Sequence, residues 1–188
     1  MKPNERVLPR RRTDELQKGR VSIPGARYFV TFITQYREPW LRAIQSAGAV
    51  LSVLRAWHEE QDGAIHAVTV MPDHVHVVFT LGARLSAGQC VGRWKSGVRR
   101  AGAFQHEWLR DFFEHRLRTE EALEDYALYI FLNPYRAGLV GANKTWPWWW
   151  APEPQLFRFS ENLNPDGTPP QEWLGWPDER FKHISVGE

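Results

Sequence analysis

The chain has 188 residues, of which 43% are hydrophobic and 24% charged, enough apolar material for one globular domain with appendages and too much for a wholly disordered chain. No apolar run reaches the 18 residues of a membrane span, the start Met1–Arg6 lacks the apolar stretch of a secretion signal, and the single cysteine, Cys90, excludes a disulfide framework or a thiolate zinc cluster, so a reducing cytoplasm is the expected setting. The net charge of +2 hides an asymmetry: residues 1–20 carry +4, residues 84–118 carry +5 and residues 119–188 carry −6, a pattern that fits a local anionic partner and equally a solvated charged helix.

Residues 1–21 are polar, Arg-rich and dotted with Pro and Gly, and read as a basic arm containing Arg10, Arg11 and Arg12. Residues 27–36 are aromatic and β-branched, the composition of a buried strand. Pro39 suits the first turn of a helix, and Leu41, Ile44, Leu51, Leu54 and Trp57 recur near helical spacing up to about Glu60. Asp62-Gly63 is a turn, Ala64 to Met71 a second strand, Pro72-Asp73 a tight connection and His74 to Leu81 a third strand. Ser86 is a candidate cap for a basic helix extending to about Ala103, weakened by three glycines. Residues 108–117 form a fourth strand. Thr119 is a candidate N-cap, followed by Glu120 and Glu121 where the helix dipole favours them; that helix should end or kink near Leu132, because Pro134 disfavours helical geometry at Asn133.

The order strand, helix, strand, strand, helix, strand predicts an α+β fold of the ferredoxin-like split βαβ type: an antiparallel sheet with helices on one face, plus an additional helix carrying a tyrosine. Residues 22–150 make this domain. Seven of the thirteen prolines and six of the ten tryptophans lie in residues 146–188, so residues 151–188 read as a Pro/Trp-rich tail draped over the domain rather than a second one. Its excess of acidic groups suits shielding of a basic surface, and its lack of a metal-ligand pattern suggests that it is dispensable for chemistry.

Three constellations carry chemistry. His74 and His76 are two apart on a strand, so both imidazoles face one side while Val75, Val77 and Phe79 face the other. Paired imidazoles suit a divalent metal, although two histidines on a half-exposed strand are equally natural; His66 on the neighbouring strand is a third ligand or a plain polar residue. Tyr129 and Asn133 are four apart and share a helix face. A tyrosine beside a metal is a potential nucleophile, activated from a free pKa of about 10, and an amide oxygen is a hard ligand suited to magnesium or manganese. Core packing and helix termination are the alternative roles. Finally, Arg93, Trp94, Lys95, Arg99 and Arg100 combine basic side chains with one aromatic, as phosphate contact plus base stacking requires; an exposed amphipathic helix has the same pattern.

Taken together, the His74-Val-His76 strand, Trp94-Lys95-Ser96 and the run Tyr129-Ile-x-x-Asn133-Pro134-x-Arg136-Ala137-Gly138-Leu139-Val140 resemble the REP-associated tyrosine transposases. These are relatives of the single-strand transposases of the HUH nuclease superfamily, named for two histidines around a hydrophobic residue. Tyr28-Phe-Val-Thr-Phe, Met71-Pro-Asp, Asp111-Phe-Phe-Glu-His-Arg-Leu-Arg118 and Trp146-Pro-Trp148 extend the likeness across residues 22–150. The sequence departs from it at Tyr135, where the family often has Val, and in the Trp-dense tail. The resemblance implies that His74, His76 and Asn133 hold Mg2+ or Mn2+ and that the Tyr129 oxygen attacks a DNA phosphate, leaving a 5′-phosphotyrosyl bond and a free 3′-hydroxyl. It implies repeated palindromes folded as single-stranded hairpins as substrates, a monomer or homodimer at the bacterial nucleoid, and no membrane partner. A non-catalytic single-stranded DNA or RNA binder, and a metal-dependent hydrolase in which Tyr129 is incidental, are the competing readings.

Overall fold

The computed structural model describes residues 21–60, 62–102, 106–119 and 121–184. Strand β1 (Arg27–Thr34) leads through a short turn to helix α1 (Ile44–Glu59); β2 (Gly63–Val70) and β3 (His74–Leu81) form a hairpin; helix α2 (Ala87–Gly102), β4 (Trp108–Arg116), helix α3 (Leu123–Arg136) and a two-residue strand β5 (Trp149–Trp150) follow. The sheet order is β4-β1-β3-β2-β5 with every pairing antiparallel. Its first four strands have the ferredoxin-like arrangement that the element order predicts.

Strand alternation divides the molecule into two cores. Tyr28, Val30, Phe32, Val75, Val77 and Phe79 point to one face and pack with Val50, Leu54 and Trp57 of α1 and Val91, Trp94 and Val98 of α2. Phe29, Ala67 and Val78 point to the other face and meet Tyr126, Ala127, Ile130 and Phe131 of α3. A register shift between Ile65 and Ala67 keeps β2 in phase with this division: Ile65, Val68 and Val70 all reach the first core. The additional helix therefore covers the sheet face that α1 and α2 leave open.

Local chemistry sets the helix ends. Ser86 Oγ accepts from Gln89 N–H at 3.2 Å while Gln89 Oε1 accepts from Ser86 N–H at 2.8 Å, a reciprocal cap at the start of α2. Gly97 is needed for packing rather than flexibility: a Cβ there would lie 2.9 Å from Val53 Cγ1 of α1.

Three expectations are corrected. Pro39 does not open α1; Trp40–Arg42 form a separate 3-10 turn, Ala43 is extended at φ −67°, ψ 130°, and the helix starts at Ile44. Thr119 does not cap α3, whose N-cap is Ala122; Glu121 is turned back to accept from the Arg118 N–H at 2.6 Å and the Tyr126 hydroxyl at 2.8 Å. The helix also does not stop near Leu132 but runs through Pro134 to Arg136. A proline at position 134 removes the N–H that would bond the Ile130 carbonyl. The Thr69 hydroxyl from β2 donates to that carbonyl instead, at 2.6 Å, so the helix continues without an orphaned acceptor. It ends where Gly138 adopts φ 68° and Leu139 N–H bonds the Pro134 carbonyl at 2.9 Å.

Segment 151–184 has no long element. Its Phe157, Phe159, Trp173, Phe181 and Ile184 are buried in the second core against α3. Among the described residues no helix is long and apolar enough to cross a membrane.

Candidate active site

The site begins as one row of the sheet. Thr31 of β1, His76 of β3 and Thr69 of β2 are cross-strand partners in register. Thr31 Oγ1 bonds His76 Nδ1 at 2.8 Å, and Thr69 anchors α3 above through Ile130. The row therefore fixes both an imidazole and the helix over it. His74 lies two residues earlier on the same face, and its Nδ1 is 2.6 Å from Asp73 Oδ1. A carboxylate only accepts, so His74 Nδ1 carries the proton of this hydrogen bond and its Nε2 faces His76. The Nε2 atoms of His74 and His76 stand 3.1 Å apart.

Helix α3 completes the arrangement. The Asn133 side-chain amide reaches to 3.4 Å from His76 Nε2. One turn earlier, the Tyr129 ring packs edge-on against His76 with centroids 6.1 Å apart. His74, Tyr129 and Asn133 line one cleft of about 710 Å³ with Arg37, Arg42 and Arg136, while His76 is wholly buried behind them. Burial, joined by the charges of His74 and Arg37, holds the His76 pKa well below its ordinary value, so this imidazole is neutral. The Asp73 carboxyl is held below the usual carboxylate range by its hydrogen bond from His74 and, less strongly, by Arg37.

Two nitrogens bound side by side to one ion at about 2.1 Å lie about 3 Å from each other, which is the separation of the histidine pair. A 180° rotation of the Asn133 amide brings its oxygen to the same point. The donor set fits a hard divalent cation on two imidazoles and an amide. Among the described residues no three His, Cys, Asp or Glu side chains gather as a metal cage.

The structure separates the other sequence candidates. His66 bonds Thr80 Oγ1 at 2.7 Å, four residues along β3 from His76, and is a polar residue away from the site. Trp94 is not available for base stacking: it is 1% exposed, packed edge-on against Trp57 and Phe79 at 5.2 and 5.1 Å. Lys95 is not a free phosphate ligand either. Its ammonium donates to the Leu109, Arg110 and Asp111 carbonyls at 2.8, 3.3 and 3.2 Å, and burial, opposed by Asp111, pulls its pKa down to about 8. Arg93, Arg99 and Arg100 are exposed on α2, the layer on the sheet face opposite the histidines. Arg10, Arg11 and Arg12 lie outside the described residues. Tyr126 is buried, stacked on His115 at 5.8 Å, and the Tyr135 hydroxyl accepts from Trp146 N–H at 3.2 Å.

Sequence reasoning did not assign roles to several residues in and beneath the cleft. Thr31 and Thr69 carry no sequence signature, since their role depends on strand register. Arg37 pairs with Asp73 Oδ2 at 3.2 Å from a turn in which Tyr36 and Arg37 both hold φ 54°, a left-handed conformation that costs side-chain-bearing residues energy. Arg136 was legible, lying three residues beyond Asn133 and seven beyond Tyr129 on one face. It pairs with Asp178 and sits over the Phe181 ring at 4.8 Å. Phe181 in turn packs against Tyr129 at 5.7 Å, so the tail, draped over the domain, also forms a wall of the cleft.

Comparison with known proteins identifies the family. The family model described as "Transposase IS200 like" matches residues 22–117, just over half of the chain. A REP-associated tyrosine transposase of Escherichia coli K12 is 27% identical over 134 residues, covering 68% of this chain and 78% of the relative. A relative from Haemophilus influenzae is 24% identical over 135 residues, covering 62% and 69%. The fold is shared with a solved REP-associated tyrosine transposase bound to a REP hairpin, at a TM-score of 0.60 and 22% identity over 90% of this chain and 94% of that one. The chain belongs to the IS200-like transposase family.

Proposed function

We propose that the protein is a metal-dependent single-stranded DNA endonuclease and strand transferase that works through a 5′-phosphotyrosyl intermediate on palindromic hairpins of the REP type. The observation that carries this reading is the placement of Tyr129 and Asn133, one helical turn apart, over the facing Nε2 atoms of His74 and His76 in a cleft bordered by three arginines. A Mg2+ or Mn2+ ion on His74, His76 and Asn133 supplies Lewis-acid polarisation of the scissile phosphate.

The protein's own groups do the rest. Arg37, Arg42 and Arg136 attract and orient the phosphate. The Tyr129 oxygen forms a bond to phosphorus as the bond to the 3′ oxygen breaks. The phenolic proton leaves to solvent and the departing 3′ oxygen takes one up. Attack by a 3′-hydroxyl on the phosphotyrosine reverses these changes and rejoins DNA with no energy cofactor. Asp73 and Thr31 hold the two imidazoles in place throughout.

Against a non-catalytic single-strand binder that stacks bases on the sheet stands the cover over that face: α3 and the tail aromatics pack on it. The test is the product of cleaving a hairpin oligonucleotide with Mn2+. The expected products are a free 3′-hydroxyl fragment and a 5′ end blocked by protein, both lost on chelation. A free 5′-phosphate without adduct would identify a hydrolase, and cleavage at full rate in chelator would remove the metal from the account.

A further inference from the structure

The cleft does not end at Arg42. A second cavity of about 460 Å³ opens beside it and shares Arg42, Pro72 and Leu139 with it. Its volume is in the range that holds a small organic group. The two linings differ in chemistry. The cleft at Tyr129 carries three arginines; the annex has Arg42 at the junction and is otherwise built from Leu41, Pro72, Leu139, Trp146, Trp148 and one glycine.

Hydrogen bonds tie both tryptophans to the fold, Trp146 by its indole and backbone and Trp148 by its backbone. The Trp146 indole N–H donates to the Val70 carbonyl at 3.1 Å and its backbone N–H to the Tyr135 hydroxyl at 3.2 Å. The Trp148 carbonyl accepts from Val70 N–H at 3.0 Å. Both residues are half-buried and both line the cavity. The Trp146-Pro-Trp148 run, which the catalytic chemistry leaves without a role, thus forms an aromatic wall one arginine away from the reacting centre.

We propose that this annex is a nucleobase pocket. It takes one unpaired base of the strand whose scissile phosphate lies at Tyr129, with Trp146 and Trp148 as the stacking surface and Arg42 on the intervening phosphate. The assignment rests on the strand-transfer reading above. An apolar aromatic slot beside a cationic groove is the pairing that single-stranded nucleic acid requires, because every base has a flat π-face to stack and every nucleotide a phosphate to neutralise. With the Trp146 N–H already engaged, the slot offers little to read a base edge, so it selects for an unpaired base more than for its identity.

The test measures binding without divalent metal, so that no cleavage occurs. The probes are a palindromic hairpin with a single-stranded thymidine tail and a set in which one tail nucleotide at a time is abasic. In the unaltered protein, one position next to the cut should lose about 5- to 150-fold in affinity when its base is removed. In Trp148→Ala the same abasic substitution should be silent, and Trp148→Phe should restore part of the dependence. Affinity for the tailless hairpin should be equal in all three, which verifies that the variants are folded. An abasic penalty of equal size in wild type and Trp148→Ala would overturn the pocket. A second measurement needs no variant: 2-aminopurine scanned along the tail should be quenched at that same position, and uniform fluorescence along the tail would overturn the proposal. If the base dependence is found but the wild type forms no covalent adduct with Mn2+, the strand-transfer reading fails and the base pocket stands.

Discussion

Replacing Thr69 by Val tests how the sheet holds helix α3. The change swaps a hydroxyl for a methyl of similar size at a residue with no exposed surface. It leaves the Ile130 carbonyl, already deprived of an intrahelical donor by Pro134, with no partner in a dry core. An orphaned buried acceptor costs about 1–3 kcal/mol, and each kcal/mol lowers the Tm of a chain this size by about 2–4 °C. Thr69→Val should therefore melt about 2–12 °C early. Pro134→Ala returns an N–H to the same carbonyl, so in that background Thr69→Val should cost only about half as much or less. Urea or thermal melts of the two single variants and the double variant close the cycle. Additivity to within about 0.5 kcal/mol would refute the claim that Thr69 stands in for the missing N–H.

Other outcomes follow from the site and its surroundings. Asn133→Ala should raise the Mn2+ concentration needed for cleavage by tenfold or more, while Asn133→Asp, which keeps an oxygen donor, should retain more activity; equal, full activity in both would make Asn133 a structural residue only. His66 is pulled from 6.5 to about 4, first by burial and then by the Arg27 and His58 charges. The unfolded chain takes up this proton near pH 6.5 and the folded chain only near pH 4, so stability should fall as pH drops through that window, by on the order of 3 kcal/mol at most. His66→Gln should flatten that slope in pH-dependent urea melts, and an unchanged slope would exclude His66 as its source. Lys95→Met should lower stability and leave the salt dependence of DNA binding unchanged, because its ammonium is spent on strand carbonyls; a slope reduced by about one unit would place a phosphate on it.

Much of the site was legible because it rests on two short periods. A spacing of two put His74 and His76 on one face of a strand, and a spacing of four put Tyr129 and Asn133 on one face of a helix. The reading of Pro134 as a helix stop failed for a non-local reason: the compensating hydroxyl, Thr69, is 61 residues away. Trp94 and Lys95 failed differently. On an amphipathic helix one aromatic among cations fits a docking surface and a core contact equally well, and only the location of Trp57 and Phe79 decides for the core. That the tail drapes over the domain was legible in its tryptophans, but where it docks was not, because its 3-10 turns have no periodicity to read; Phe157, Phe159, Trp173 and Phe181 are buried with α3 in the second core. Removing residues beyond Phe159 would uncover part of α3, so a truncation that tests whether the tail is dispensable for chemistry must first be shown to fold.

The central claim is that Tyr129 is the nucleophile. Tyr126 is committed to Glu121 and stacked on His115, and Tyr135 to Trp146, each inside the second core; Tyr129 alone of the three lines the cleft with Asn133 and His74. The direct measurement is incubation with Mn2+ and a single-stranded hairpin labelled on the 3′ side of the cut, followed by denaturing electrophoresis and peptide mapping. The account predicts a covalent protein–DNA band that maps to Tyr129, disappears in Tyr129→Phe and persists in Tyr126→Phe and Tyr135→Phe. An adduct that survives Tyr129→Phe, or that maps to another tyrosine, would contradict it.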